Sequence, residues 1–507
     1  VVIYNPEGNT DPNNAIVTYF APTLDATNGA SWGGYAWGTN VLTAVNPTAP
    51  TMLGHPSPGG DILQSVPDAF HMTTLGKAFA YEPVLVDGFF AGYTGNMVIT
   101  SGFYNSGTLL FDYTQELLEC EIVSGATVAN AKVAFGPDGL TGYLGILSNN
   151  GGNDLADGAY YPILYKTTDG GTNWDGPYNV QLGGPDGLSC VLSYLTDELL
   201  EMLYAPPIPD RTELLFTTAF DCDIAVDAWG NPHMLFVVGL GSGEWSIYTS
   251  IEGLPGTGGM IAMVHVTSYD GMDTWVGDTL VRPFTFRGVF PGGNDMSEDT
   301  RPYISVTPDG TKMFFSWINT EVPEVNDNVS PDIYCMGHDV TNRTYSNLYN
   351  VTAFTSVMWQ AWMGTASYYV FDYGGEYEIP FVCQTMNPAN NLDPVAFKYI
   401  DGFTLTDADL GVWTSSAEIE DNRISISQNY PNPFNYSTII TTYLEEPACL
   451  SLEVTNILGQ KVYMEDRGYT GRGTVQFTLS ADDFDPGIYF YTVRIGNQAV
   501  TRQMIVK

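Results

Sequence analysis

The 507-residue chain carries 57 acidic against 17 basic side chains, a formal net charge of −40, and 49 of the acidic but only 11 of the basic residues precede Ile424. A body this acidic repels nucleic-acid phosphates and anionic lipid, which excludes both as principal partners, while the same charge keeps a surface solvated. With 44% hydrophobic and 13% aromatic residues the chain is not disordered, and no apolar run approaches the ~18 residues of a spanning helix, so no membrane insertion is expected.

The chain opens on Val1 without a basic, apolar leader, which reads as a sequence whose signal peptide has been removed. Residues 1–60 are rich in Asn, Pro, Gly and Thr. The strand-like run Ala15–Phe20 within them is expected to close the fold by pairing with the last repeat, an extended arm being the alternative. Helical periodicity is confined to Thr196–Tyr204, where Leu199, Leu200 and Leu203 share a face and Pro206-Pro207 ends the segment. Everything else up to residue 413 is short Tyr, Phe, Val and Ile runs broken by Gly, Asn, Asp and Pro, an all-β pattern.

One unit recurs: a strand, a tight Gly-containing turn, and a second apolar strand. Its copies are Lys132–Leu144, Asp223–Phe236, Tyr303–Trp317 and a weaker Tyr368–Phe381, the first and third turning on Pro-Asp-Gly. A hairpin returning at intervals of about 65 to 90 residues predicts blades of about four strands, a β-propeller of six blades or alternatively seven. Residues 1–413 are assigned to it, 414–423 to a linker and 424–507 to a second domain.

The run Thr167-Thr168-Asp169-Gly170-Gly171-Thr172-Asn173-Trp174 resembles the Asp-box of sialidase-like propellers, with Thr167, Asp169, Gly171 and Trp174 at its defining positions. Ser268–Trp275 is a degraded copy, with Met272 where the pattern has Gly. What the resemblance implies is structural: Asp caps turn amides, Gly permits the bend and Trp packs between strands, away from any central ligand site.

Beyond the linker, short alternating strands separated by turns (Ser437–Leu444, Leu450–Val454, Lys461–Tyr463, Thr474–Leu479, Ile488–Val493) predict a small Ig-like β-sandwich. Three ordered motifs lie in it. They are Gln428–Asn435, holding Asn432, Pro433, Phe434 and Asn435; Asn456–Val462, holding Gly459; and Pro486–Lys507, holding Gly487, Tyr489 and the terminal Lys507. Together they resemble the C-terminal sorting domain of type IX secretion cargo, common in Bacteroidota. The resemblance implies recognition by the type IX secretion machinery, export across the outer membrane, and release or attachment at the cell surface.

No catalytic constellation stands out. The arginines before the linker, Arg211, Arg282, Arg287, Arg301 and Arg343, come without the Arg-Ile-Pro start of the sialidases, and no carboxylate pair is singled out among dozens. His55, His71, His233, His265 and His338 show no HxH or HExxH spacing, so no zinc site is expected. Asn294–Asp299 and Glu324–Asn328 concentrate oxygen ligands of the kind calcium takes, but lack EF-hand spacing and read as solvated loops; no cofactor is assigned. The six cysteines form no CxxC pair, and most sit inside strand-like runs, where buried free thiols are expected. The preferred function is a secreted, non-enzymatic propeller that binds a surface glycan or protein. One alternative is a self-assembling subunit of an extracellular filament or surface layer, which a sorting tail present to Lys507 favours because such tails are ordinarily removed on export. The other is a polysaccharide-active, sialidase-like glycoside hydrolase.

Overall fold

In a computed structural model the chain is described at all residues except 26–30, 44–50, 54–67, 86–92, 154–156, 249–259, 284–286, 290–296, 321–327, 388–392, 412, 415–424, 427–428, 430–431, 445–447, 457–459, 472 and 496–497. It divides into two units, Val1–Ser415 and Ser416–Lys507.

The first unit is a succession of antiparallel sheets, the first four of which join each strand to the next in sequence, a propeller-like arrangement. The first sheet runs Val2–Tyr4, Ile16–Asp25, Ser31–Val41, Thr51–Leu53; the second Asp68–Met72, Lys77–Leu85, Tyr93–Asn105, Leu110–Glu119. The third runs Asn130–Phe135, Gly142–Ser148, Tyr161–Thr167, Asp175–Asn179, and the fourth Phe216–Val226, Pro232–Leu240, Ile261–Thr267, Val276–Val281. The fifth begins Tyr303–Val306, Lys312–Asn319, Asp332–Asp339, Thr344–Tyr345 and ends on Trp413–Thr414. The sixth has Trp362–Ala366, Phe381–Thr385 and Ala396–Ile400, accompanied by a small sheet of Phe371–Asp372, Glu376–Glu378 and Thr404–Thr406.

Middle strands such as Gly142–Ser148, Ile261–Thr267 and Asp332–Asp339 are buried at every position. They are covered on both faces, which is why they read as continuous apolar runs. Outer strands such as Leu110–Glu119 alternate, with one face in water. The cores join neighbouring sheets in series: Trp37 with Phe111, Phe135 with Phe236, Leu235 with Phe315, Phe314 with Phe381.

The repeated hairpins form where the turn chemistry puts them. Asp138 Oδ1 accepts the amides of Leu140 and Thr141, and Asp227 Oδ1 those of Trp229 and Asn231. Gly310, at φ 74°, closes the third turn; a Cβ there would stand 2.6 Å from the Ala228 nitrogen, so the position admits only glycine. The helix over Asp197–Leu203 is capped by the Thr196 side chain on the Leu199 amide.

Three expectations need correction. The run Ala15–Phe20 does not pair with the last repeat: Ile16–Asp25 lies between Val2–Tyr4 and Ser31–Val41 in a sheet of its own, because the chain reverses at Pro12–Asn14 and Val2–Tyr4 supplies the neighbouring strand. The fourth hairpin exists, with Phe371 opposite Glu378, but it belongs to the small companion sheet, while Phe381–Thr385 pairs with Trp362–Ala366. Thr414, given to the linker, pairs with Thr344.

The second unit has two antiparallel sheets, Ser425–Ile426, Ser437–Leu444, Gly473–Ser480 and Lys461–Thr470, Ala448–Asn456, Gly487–Ile495, Gln498–Val506. Alternate residues of both, among them Ile440, Phe477, Leu452, Val454, Tyr491 and Met504, close one core.

Candidate functional site

The opening strands of the sheets numbered above line one cavity of about 400 Å³. Val2 and Ile3 come from the first sheet, Phe70, His71 and Met72 from the second, Lys132 and Val133 from the third, and Asp223 and Ile224 from the fourth. Tyr303 and Ile304 come from the fifth, and Ala366, with Tyr368 and Tyr369 just beyond it, from the sixth. None of these was singled out as a site residue from sequence. A signal was nevertheless present, since the four repeated hairpins begin at Lys132, Asp223, Tyr303 and Tyr368, and all four line the cavity.

Asp223 is fixed by backbone. Its Oδ1 accepts the Ile224 amide at 2.9 Å and its Oδ2 the Ile304 amide at 2.7 Å, tying the fourth sheet to the fifth. Burial pushes its carboxyl up to about 6, against the pull of Lys132 and the two amides. His71 is neutral: burial brings it down to about 4, and its Nε2 accepts the Phe135 amide at 3.3 Å. The Tyr368 ring meets His71 edge-on at 4.9 Å and Tyr369 at 4.9 Å, and its buried hydroxyl has no hydrogen-bond partner among the described residues. Tyr303 takes a hydrogen bond from Arg301 Nη2 at 3.1 Å.

The chemistry this wall offers is limited. Asp223 is the one carboxylate lining the cavity among the described residues, whereas glycoside hydrolysis ordinarily needs two. Among the described residues no arginine lines the cavity: Arg211 binds the Leu192 and Leu195 carbonyls and Asp197, and Arg343 stacks on Tyr269.

The Thr167–Trp174 residues form a tight turn between the third and fourth strands of their sheet. Asp169 Oδ1 accepts the amides of Thr172 and Asn173 at 2.9 Å each, and Thr167 Oγ1 accepts that of Gly171 at 2.9 Å. Trp174 packs edge-on against Phe79, Tyr81 and Phe135. The copy at Ser268–Trp275 is not degraded in geometry: Ser268 Oγ accepts the Met272 amide at 2.9 Å, and Met272 takes φ 76° where Gly171 takes 75°.

Of the two oxygen-rich loops, Asn294–Met296 and Glu324–Asp327 lie outside the described residues. The argument from histidine spacing is overturned as a guide to proximity. His233, His265 and His338, far apart in sequence and all buried, present ring nitrogens within 4.8 Å of one another. Spacing rules read neighbours along the chain; here adjacent strands and adjacent sheets make the neighbours. Cys120, Cys190, Cys222, Cys335 and Cys383 are buried free thiols as expected, and Cys449 is exposed.

In the second unit the motif residues gather at the chain end. Asn432 Oδ1 accepts the Ile505 amide, Phe434 N donates to the Ile505 carbonyl at 3.0 Å, and Lys507 N donates to the Phe434 carbonyl at 2.9 Å. Phe434 is buried in the core; Gly487 stands opposite Val506, and Tyr489 caps the Asp485 carbonyl at 2.9 Å. Asn435 follows in the turn and Gly459 lies outside the described residues. This segment, residues 428–507, matches the family model described as the secretion system C-terminal sorting domain. Residues 428–507 are a type IX sorting domain. The sorting domain directs the chain through the type IX secretion machinery to the cell surface or the extracellular space. Among the described residues no helix is long and apolar enough to cross a membrane.

No curated protein sequence matches the chain. Among solved structures it is similar to the polysaccharide lyase Uly1, at 11% identity over 72% of this chain and 68% of that one, TM-score 0.38. It is similar to the Hadza microbial sialidase Hz136 at 10% identity over 74% and 66%, TM-score 0.36. PorZ, a surface component of the type-IX secretion system of Porphyromonas gingivalis, is similar at 11% identity over 98% and 69%, TM-score 0.27. Likeness at this level assigns no activity to this chain.

Proposed function

We propose that this is a secreted, non-enzymatic binding protein in which a six-bladed propeller, residues 1–413, presents its central cavity to a carbohydrate. An Ig-like sorting domain at 424–507 carries it to the surface, and the turns at Thr167–Trp174 and Ser268–Trp275 are Asp-boxes that brace the blades. The observation that carries the reading is the cavity wall. Tyr303, Tyr368 and Tyr369 bring aromatic rings to the wall, and Asp223 and Lys132 set polar groups beside them. A cavity of about 400 Å³ is at the small end for ligand sites, the size of one or two sugar rings. One lining carboxylate among the described residues favours binding over glycoside hydrolysis. The test is a glycan array probed with the purified chain and with Tyr369→Ala: binding that the substitution abolishes supports the reading, and an array with no bound glycan contradicts it.

Self-assembly into a filament or layer is the second reading, and one observation favours it. Ala396–Ile400 is an edge strand with Phe397 and Tyr399 exposed at 72% and 55%, beside exposed Phe371 and Tyr373. Long apolar edges pair with other chains unless they are blocked.

A further inference from the structure

The fourth and fifth sheets meet over three imidazoles that none of the foregoing uses. His233 opens the strand Pro232–Leu240 and His265 lies diagonally across from it on Ile261–Thr267, while His338 comes from Asp332–Asp339 of the next sheet. All three are at most 1% exposed.

The outer ring nitrogens decide where the protons are. His338 Nδ1 faces the Thr344 carbonyl at 3.0 Å, a pure acceptor, so this nitrogen carries its proton. His265 Nδ1 is 2.7 Å from the Tyr345 hydroxyl, which itself donates to Asp278 Oδ2 at 2.8 Å, so His265 donates as well. His233 Nε2 is 3.3 Å from Asp227 Oδ2 and donates to that carboxylate.

Each ring therefore turns its other nitrogen inward. Two of these, His233 Nδ1 and His265 Nε2, are 2.8 Å apart. The third, His338 Nε2, is buried with no hydrogen-bond partner among the described residues. Three buried imidazole nitrogens converging on one point, each ring held from outside by a fixed partner, are a donor set for a cation.

We propose that His233, His265 and His338 form a binding site for a divalent transition metal of the zinc class, clamping the fourth sheet to the fifth. Imidazole nitrogens are the ligands such ions prefer, at about 2.0–2.1 Å, and a water completes the tetrahedron. Two ligands at the tetrahedral angle stand about 3.3 Å apart, so small side-chain rotations close the set. The outer partners are those a metal-bound histidine takes: a carboxylate for His233, a backbone carbonyl for His338, and for His265 a hydroxyl relayed to a carboxylate. Asp227 and Asp278 also offset the ion's charge. None of the three histidines lines the central cavity, so the ion is structural and does not depend on the carbohydrate reading.

The full chain, purified without chelator, is assayed for metal by mass spectrometry, then stripped, titrated with zinc, and separately loaded with cobalt(II). The expected results are about one zinc per chain, a lower unfolding temperature after stripping that zinc restores, and the intense visible absorption of tetrahedral cobalt. His338→Ala is expected to lose stoichiometric zinc, and Asp227→Asn to weaken it about tenfold or more. The cobalt spectrum and zinc titration use the unaltered chain, so an unfolded variant leaves the question answerable. A stripped wild-type chain that takes up no zinc, or a folded His338→Ala chain that binds it as tightly as the wild type, overturns the proposal.

Discussion

Asn432 holds the end of the chain: its Oδ1 accepts the backbone N–H of Ile505 at 2.8 Å across 73 residues of sequence. Phe434, two residues on, is buried and brackets the same segment through Ile505 and Lys507. The opening and closing motifs of the sorting domain are thus one structure. Asn432→Ala is expected to cost about 1 kcal/mol and Phe434→Ala about 3–5 kcal/mol in urea unfolding of the sorting domain. Export, measured as protein reaching the medium or cell surface, should fall in the same order. Unchanged unfolding in both variants would contradict the account.

The turn at Thr167–Trp174 depends on Asp169 and Gly171. A Cβ at Gly171 would come within 2.6 Å of the Phe79 ring at φ 75°, so Gly171→Ala is expected to destabilise by more than about 1 kcal/mol. Asp169→Ala removes the acceptor of two amides and is expected to cost about 1 kcal/mol. Hydrogen bonding from the Asn173 side chain and amide holds the Asp169 carboxyl down to about 2, so this cap persists above the ordinary carboxylate range and is lost as pH falls through 2. Thermal unfolding of the two variants beside the wild type measures both effects.

Asp223 titrates in the opposite sense. With its folded value raised to about 6, the folded chain binds a proton there more tightly than the unfolded chain. Its contribution to stability therefore falls as pH rises from about 4 to about 6 and stays lower above that, by an amount on the order of 3 kcal/mol. Carboxyl carbon chemical shifts of labelled aspartate, assigned through Asp223→Asn, should show a midpoint near 6; a midpoint near 4 would contradict the burial argument.

The edge strand Ala396–Ile400 carries the self-association reading. Replacing Phe397 and Tyr399 by Glu puts like charges on an exposed edge and is expected to leave folding intact, because both side chains are exposed. Light scattering at rising concentration distinguishes the cases: assemblies that the double variant abolishes support this interface, and a wild-type monomer at every concentration contradicts it.

Much of this architecture was legible because turn chemistry is local. Pro137-Asp138-Gly139 and Pro308-Asp309-Gly310 announce their hairpins, and the motifs from Asn432 to Lys507 announce the sorting domain. The first two sheets were not legible. Their turns, such as Thr73–Gly76 between Asp68–Met72 and Lys77–Leu85, lack the Pro-Asp-Gly signature, and Val2–Tyr4 is too short to show a period. The cavity was hidden for another reason: its residues come from six strands, and nothing local distinguishes a tyrosine facing an axis from one in a core. The histidine cluster was hidden in the same way, since it arises from the diagonal of one strand pair and the face of the next sheet. Met272 shows the reverse failure. A residue at odds with the motif still adopts its backbone conformation because Ser268 and Asp270 hold the turn.

The proposed carbohydrate site is the cavity at the meeting of the inner strands. Isothermal titration of the full chain with the best ligand from the array, beside Tyr369→Ala, tests it most directly. The account predicts saturable binding to the wild type and at least about tenfold weaker binding to Tyr369→Ala, the loss of one aromatic contact. Equal affinity in the two proteins would place the ligand elsewhere and contradict it.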